Sequence, residues 1–289
     1  GRSCAMMGGF VPVPRSFASM TDVGPSDTRV AAFFDLDGTL IPGSANIPLA
    51  KAAFRAGFVS KRELAVDLAR NASFMLRGAS DDSSAKVRDR ILRGVKGHPA
   101  SEVEGLADGF LDDLVETITP TMREVLAEHR AAGHELVLVS ASPTEIVQRF
   151  AVAAGMDYGV GTTAGRDADG RFDGTLSGPF CYKEGKAEVI RGLAATHGYD
   201  LAECFAYSDS VSDEPMLAIV GNPVAVNPDH ELRLMAQAGG WRIVDVGRLR
   251  VVANRTRRAV RSAAASPAKA WTRSRAGAAR RRRPVAEPD

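Results

Sequence analysis

The feature that most constrains the fold is a series of five short apolar segments that alternate with helix-like segments. The apolar segments are 28–34, His134–Ser140, Glu203–Ser208, Asn222–Asn227 and Trp241–Val246. Each is short and rich in aliphatic, β-branched or aromatic residues, which is typical of a strand buried on both faces. Buried strands that are separated by helices favour a parallel sheet. We therefore predict an α/β fold, an open parallel sheet with helices on both faces.

A long segment without a convincing strand separates the first two predicted strands, and it contains signals for helix starts. The Ser-x-x-Glu tetrads at 60–63 and 101–104 have the spacing of a capping box, in which two side chains satisfy free amides of the first turn. We predict a helical insertion over 44–118. The Thr-x-x-Glu tetrad at 121–124 predicts the helix that returns the chain to the sheet.

The chain is therefore predicted to contain four regions. They are a flexible lead-in over 1–28, an α/β core formed by 29–43 and 119–247, a helical cap insertion over 44–118, and a basic tail over 248–289. Within the core, residues 165–180 contain Asp-Gly and Ser-Gly turn signals, which predict a β-hairpin.

Charge is distributed unevenly along the chain. From Arg248 onward, 13 Lys and Arg residues stand against 2 Asp and Glu, for a net charge of +11, whereas the rest has 24 against 33, for −9. Such an Arg- and Ala-rich tail favours a disordered, solvated segment. A basic arm for an anionic membrane surface, helped by Trp271, is the alternative, and nucleic-acid binding is the weakest interpretation.

The composition favours a cytoplasmic globular protein. A chain of 289 residues, 45% of them hydrophobic, can bury a sizeable core. No apolar run approaches the roughly 20 residues of a membrane span, and no secretory signal is visible. The three cysteines, Cys4, Cys181 and Cys204, lack the spacing of a metal site or a disulfide framework. Peripheral membrane attachment through the tail is the alternative location.

Polar residues follow several of the predicted strands. They are Asp35, Asp37, Ser140, Asp209 and Asp213, with Lys186 near the start of a helix. In an open α/β sheet, ligands bind beyond the carboxyl ends of the strands, so these side chains are candidates for a common site. Each also has a structural alternative, as a turn residue, a helix N-cap or a solvated lysine. The combination is more typical of a catalytic site than of unrelated structural roles. It comprises a carboxylate that can act as a nucleophile, a second acid, a hydroxyl, a lysine and a distal acid pair.

The order of these residues carries a family resemblance. The segments are DLDGT (35–39), LVLVS (136–140), EGKAEVI (184–190) and YSDSVSDEPML (207–217). They closely resemble the four motifs of the haloacid dehalogenase (HAD) superfamily of phosphohydrolases. More narrowly, the chain is similar to subclass IB, the phosphoserine-phosphatase-like group, whose helical cap is inserted between the first two motifs. The resemblance spans about residues 30–246 and implies a Rossmann-like core with an inserted helical cap domain.

The resemblance implies roles for four of the side chains. Asp35 would be the nucleophile that forms an aspartyl-phosphate, and Asp37 the general acid and base. In an extended segment, residues i and i+2 point the same way, so both carboxylates can face one phosphate. Ser140 would donate a hydrogen bond to a phosphoryl oxygen, and Lys186 would supply positive charge.

The resemblance also implies a magnesium ion. A carboxylate that attacks a phosphate is repelled by it unless positive charge lies nearby. Mg²⁺, which prefers oxygen ligands, would bind the Asp35 carboxylate, the Asp37 backbone carbonyl and Asp209. Asp213 would orient its waters or ligate it directly.

The substrate side of the site has four further candidates. Gly38 removes side-chain bulk beside the phosphate, and Thr39 helps to hold the turn. Ser44 occupies the position where phosphoserine phosphatases have a Glu that holds the substrate ammonium group. Arg90 is a candidate for the cap arginine that binds the substrate carboxylate, with a solvated helix face as the alternative.

The last motif departs from the usual Gly-Asp-Gly-x-x-Asp pattern of the family. Ser208 and Ser210 replace the glycines, and Ser212 stands where phosphoserine phosphatases often have Asn. The acids are kept, so the departure concerns the fine geometry of the site.

The sequence thus predicts a Mg²⁺-dependent phosphomonoester hydrolase that acts on a small organic phosphate. Phosphoserine phosphatase proper and a lysophospholipid or lipid phosphate phosphatase are the enzymatic alternatives. A non-catalytic, phosphate-responsive module is a further alternative. Asp37 disfavours the module, because a built-in acid and base would destroy the phosphate that such a module must retain.

Overall fold

The computed structural model describes residues 29–57, 88–89 and 92–246. Its strands are β1 (Ala31–Phe34), β2 (Glu135–Pro143), β3 (Tyr158–Thr162), β4 (Ala164–Arg166), β5 (Phe172–Leu176), β6 (Phe205–Ser208), β7 (Asn222–Val226) and β8 (Arg242–Val244). The main sheet has six parallel strands in the order β3-β2-β1-β6-β7-β8, and β4 and β5 form a separate antiparallel pair. The predicted α/β class and the hairpin are therefore confirmed.

Eight helices are named among the described residues. They are α1 (Asn46–Arg55), α2 (Ala100–Ala107), α3 (Leu111–Glu116), α4 (Pro120–Ala131), α5 (Thr144–Ala153), α6 (Glu184–His197), α7 (Glu214–Leu217) and α8 (His230–Gly239). Alternate strand residues face opposite sides of the sheet. Thus Ala32 and Phe34 of β1 pack in one core with residues of α2 to α5, whereas Ala31 and Phe33 pack in a second core with α6 to α8.

The strand β3 is missing from the sequence prediction. Its segment contains Gly159 and Gly161, and glycine weakens the signal for a strand. Both glycines are required by close packing: a Cβ on Gly159 would lie 2.6 Å from the Val147 carbonyl oxygen of α5, and one on Gly161 would lie 2.5 Å from the Ser142 carbonyl oxygen. The two glycines that weaken the strand signal in the sequence are thus the residues that allow β3 to pack closely against its neighbours.

The helices α2 and α4 form where helices are expected, but their starts differ from the predicted capping boxes. Pro99 precedes α2 and provides no side-chain cap, so the tetrad at 101–104 does not cap it. The N-cap of α4 is Thr119, whose hydroxyl accepts from the Met122 amide at 3.3 Å, with Pro120 in the first turn. Proline needs no amide partner at that position, which favours this start over the tetrad at 121–124.

The β4–β5 hairpin packs against residues inside the predicted insertion. Phe172 exchanges backbone hydrogen bonds with 97–98, since Gly97 N donates to its carbonyl at 2.7 Å and its own amide donates to His98 O at 3.0 Å. Phe172, Ala164 and Val103 also share a small apolar cluster. The hairpin therefore holds the part of the predicted insertion that lies just before α2.

Several sequence predictions fall outside the described residues. They are the lead-in over 1–28, the tetrad at 60–63, Arg90 and the tail over 248–289. The insertion is described only in part, so its limits at 44 and 118 stay predictions. Over the described ranges, no helix has the length and apolar character needed to cross a membrane.

Candidate active site

Most of the predicted site residues that the structure describes lie at one end of the sheet, where β1 and β6 end beside β2. β1 runs into Asp35, β2 contains Ser140, and β6 leads into Asp209, and β1 lies between the other two strands. The Asp35 amide donates to the Tyr207 carbonyl of β6 at 3.0 Å, which continues the sheet ladder into the site. The order of the strands therefore brings together acids that are about 170 positions apart in the chain.

A buried lysine connects two of the acids. Lys186 Nζ donates to Asp35 Oδ1 at 2.6 Å and to Asp213 Oδ2 at 2.7 Å. All three side chains are at least 90% buried. Lys186 lies in the first turn of α6, so the start of this helix delivers an ammonium group to the end of β1. Charge-assisted hydrogen bonds in a buried site are strong and directional, so this triad fixes the orientation of Asp35.

The triad contains more negative than positive charge. Burial opposes the charge on Lys186, but Asp213 and Asp35 outweigh burial and raise the pKa of the ammonium, so it stays charged. Burial raises the pKa of Asp35 to about 7, against the opposing effect of Lys186, and Asp213 raises it further. The one ammonium shared by two carboxylates therefore offsets only part of the effect of burial on the pKa of Asp35.

Asp209 lies beside the turn that follows β1. A Cβ on Gly38 would lie 1.9 Å from Asp209 Oδ2, and Gly38 has a left-handed φ of +80°, so both space and conformation require glycine here. The buried Thr39 hydroxyl is 3.3 Å from Asp209 Oδ1 and 3.4 Å from Asp35 Oδ2. Burial, followed by Asp35 and Asp213, raises the pKa of Asp209 well above its ordinary value.

The Asp37 carboxylate is held by the residues that lead into α1. The Ser44 hydroxyl donates to Asp37 Oδ2 at 2.7 Å, and the Ala45 amide donates to Oδ1 at 2.8 Å. The Asn46 side-chain amide lies 3.5 Å from Oδ2. Burial raises the pKa of Asp37, while the hydrogen bonds from Ala45 and Ser44 act in the opposite direction. The predicted acid is thus held by the start of the predicted insertion.

Ser140 is buried within β2, which continues to Pro143 rather than ending at Ser140 as the sequence suggests. Its hydroxyl oxygen accepts from the Ser142 amide at 3.3 Å. The side chain therefore lies on the strand next to Asp35, with its hydroxyl hydrogen not used by that contact.

The model of the haloacid dehalogenase-like hydrolase family matches residues 32–218, which include all four motifs. The chain belongs to this family.

Two curated relatives of this HAD protein carry different names. The chain is 38% identical over 221 residues to the inhibition of morphological differentiation protein of Streptomyces azureus, covering 76% of this chain and 79% of that one. It is 34% identical over 237 residues to phosphoserine phosphatase SerB1 of Mycobacterium tuberculosis, covering 81% of this chain and 77% of that one.

Solved structures agree with the fold of this HAD protein. A Bordetella pertussis protein of unknown function is similar with a TM-score of 0.65 and 30% identity, covering 76% of this chain and all of that one. A phosphoserine phosphatase solved as a phospho-aspartyl intermediate analogue has a TM-score of 0.55 and 19% identity, covering 79% of this chain and 99% of that one. At that identity the second likeness supports the fold alone.

The residues of this HAD site fit a hard divalent cation. Lys186 Nζ donates to Asp35 and Asp213. Among the described residues, the one side chain within hydrogen-bonding distance of the Asp209 carboxylate is Thr39, at a long 3.3 Å. Three carboxylates facing one ammonium form an excess of negative charge that a cation would relieve. No group of three His, Cys, Asp or Glu side chains among the described residues has metal-binding spacing. The ligand set implied by the resemblance uses two carboxylates and a backbone carbonyl, so it does not need such a group.

The structure adds two contacts that sequence reasoning did not assign. Ser208 donates to Asp213, and Ser44 donates to Asp37 rather than being free for a substrate. The sequence did contain a signal for Ser208, because a hydroxyl stands where the usual pattern of the family has glycine. It contained no signal for the partner of that hydroxyl, which depends on the path of the 208–213 loop.

Proposed function

We propose that this chain is a phosphomonoester hydrolase that forms an aspartyl-phosphate on Asp35. The observation that supports the proposal is the buried contact of Lys186 with Asp35 and Asp213, where β1 and β6 end beside β2. A lysine buried between two acids is expensive to keep as a purely structural feature. A site that must bring a carboxylate and a phosphate together needs such a charge.

In the first step, an Asp35 carboxylate oxygen forms a bond to phosphorus, and the bond from phosphorus to the leaving oxygen breaks. Asp37 gives its proton to that leaving oxygen. In the second step, Asp37 takes a proton from water, the water oxygen bonds to phosphorus, and the bond from phosphorus to Asp35 breaks. The products are an alcohol and inorganic phosphate, and both aspartates return to their starting states.

The remaining residues bind and orient the phosphoryl group. Lys186 provides positive charge, and Ser140 donates a hydrogen bond to a phosphoryl oxygen. Asp35, Asp209 and the Asp37 backbone carbonyl would hold Mg²⁺, which when bound supplies further positive charge to the phosphate and lowers the pKa of the carboxylates. Asp213 orients Lys186, and its contacts with Lys186 and Ser208 favour this role over direct ligation.

The test is hydrolysis of p-nitrophenyl phosphate in the presence of Mg²⁺. The purified protein should release p-nitrophenol, and Asp35→Asn should abolish this, because the amide is a poor nucleophile. The exposed Asp112 offers a matched control, since Asp112→Asn makes the same chemical change away from the strand ends. Unchanged hydrolysis by Asp35→Asn would refute the mechanism.

Phosphoserine is a second candidate substrate, because a relative at 34% identity is named a phosphoserine phosphatase. The hydrogen bond of Ser44 with Asp37 argues against it, since this position offers no carboxylate to an ammonium group. Turnover of phosphoserine in competition with glycerol phosphate, a sugar phosphate and lysophosphatidate would rank the classes. Preferred turnover of phosphoserine would favour this candidate over a general small organic phosphate.

A further inference from the structure

Ser208 is the last residue of β6, and its side chain is fully buried. A buried hydroxyl needs partners to offset the loss of water. Ser208 Oγ donates to Asp213 Oδ2 at 2.7 Å and accepts from the Ser210 amide at 3.3 Å. Both partners belong to the loop that carries Asp209 and Asp213, so one hydroxyl links the start of that loop to its end.

The hydroxyl acts on the same oxygen as the lysine. Asp213 Oδ2 accepts from Ser208 Oγ and also from Lys186 Nζ, and Lys186 Nζ also donates to Asp35 Oδ1. A continuous series of hydrogen bonds therefore runs from Ser208 through Asp213 and Lys186 to the nucleophile. The hydroxyl limits how far the Asp213 carboxylate can rotate and so fixes where the ammonium lies.

The loop between the two ends has local support of its own. The Asp213 amide donates to the Ser210 carbonyl at 3.0 Å, and the Ser212 amide donates to the Ser210 hydroxyl at 3.3 Å. These contacts fix the backbone turn, but they do not touch either carboxylate oxygen of Asp213. Among the described side chains, the hydrogen bonds to those oxygens come from Ser208 and Lys186.

We propose that Ser208 is a positioning residue for the reaction, acting through Asp213 to hold Lys186 against Asp35. The proposal rests on the proposed phosphatase function. It assigns a purpose to the hydroxyl that stands where the usual pattern of the family has glycine, since glycine has no side-chain group to donate.

The experiment measures phosphoenzyme formation in a single turnover with p-nitrophenyl phosphate and Mg²⁺. Ser208→Ala should slow this step about tenfold and leave KM nearly unchanged, as expected for loss of an outer partner that orients a site residue. Ser208→Cys keeps a weak donor of similar size and should give an intermediate rate. In an Asp213→Asn background, Ser208→Ala should have little further effect, because the two residues act in one series.

Thr119→Ala is the control for a general loss of stability, because Thr119 is also a buried hydroxyl but caps α4. It should lower Tm and leave the rate of phosphoenzyme formation unchanged. A wild-type rate in Ser208→Ala, or additive effects of Ser208→Ala and Asp213→Asn, would overturn the assignment while leaving the phosphatase function standing. Absence of any phosphoenzyme or hydrolysis in the wild type would instead overturn the function, and the assignment with it.

Discussion

The buried imidazole of His129 should make the stability of this protein sensitive to mild acid. His129 lies in α4, is 6% exposed, and has a partner at each ring nitrogen. Its Nε2 is 2.7 Å from the Tyr207 hydroxyl, and its Nδ1 is 2.8 Å from Nδ1 of His134. Burial, followed by His134 and Arg242, lowers the pKa of His129 to about 4. The neutral ring carries a hydrogen on one nitrogen only, so a second proton would disrupt the contact in which the other nitrogen accepts, and it would place a positive charge near His134 and Arg242.

The sign and size of the effect follow from this pKa. Above pH 6.5, the ordinary value, His129 is neutral in both the folded and the unfolded chain. As the pH falls from 6.5 towards 4, the unfolded chain takes up a proton that the folded protein does not, so the free energy of unfolding decreases. A tenfold difference in proton affinity is worth about 1.4 kcal/mol, so the full loss is about 3 kcal/mol, of which about 2 kcal/mol appears by pH 5.

The assay is urea unfolding at pH 7.5 and pH 5 for the wild type, His129→Gln and Tyr207→Phe. Glutamine stays neutral, so His129→Gln should be less stable at pH 7.5 but should lose about 2 kcal/mol less than the wild type on moving to pH 5. Tyr207→Phe removes a partner of the ring without changing charge, and it should lower stability by a similar amount at both pH values. An equal difference between wild type and His129→Gln at the two pH values would refute the reasoning.

Two further predictions concern the site. Gly38→Ala should reduce kcat about 100-fold or more, because the new Cβ would displace the Asp209 carboxylate. It should also raise the Mg²⁺ concentration needed for half-maximal activity. An Mg²⁺ dependence equal to that of the wild type would contradict this. Ser44→Ala removes a hydrogen bond that lowers the pKa of Asp37, so this pKa should rise. The basic limb of the kcat–pH profile, which requires protonated Asp37, should then move to higher pH, and an unmoved limb would count against the contact.

The sequence was sufficient for the parts of the fold that follow from local patterns. Five of the six strands of the main sheet are apolar runs at the ends of which polar residues begin, and this alone predicts a common edge. The strand β3 could not be predicted in this way, because Gly159 and Gly161 are explained only by the backbone atoms they contact. The start of α4 was available from a local pattern but was predicted from the wrong one, because Thr119 as N-cap with Pro120 in the first turn is a better start than the neighbouring Thr-x-x-Glu tetrad.

In the site too, the residue types could be predicted from the sequence, but their contacts could not. Motif order was enough to select Asp35, Asp209, Asp213 and Lys186 as a group. It could not show that one ammonium bridges Asp35 and Asp213 while Asp209 lies beside Gly38, because these contacts depend on how α6 and the 208–213 loop approach the sheet. Residue identity thus predicts the chemistry, and packing decides how the charge is shared.

Ser44 shows how a contact in the structure adds to what the motif indicates about the substrate. From the motif, Ser44 indicates a missing carboxylate for an ammonium group; in the structure, its hydroxyl is already bonded to Asp37 at 2.7 Å. A glutamate at this position would place a second negative charge beside Asp37 and would raise the pKa of that acid. A neutral donor has the opposite effect. The residue at 44 therefore bears on the pKa of Asp37 as well as on the proposed choice of substrate.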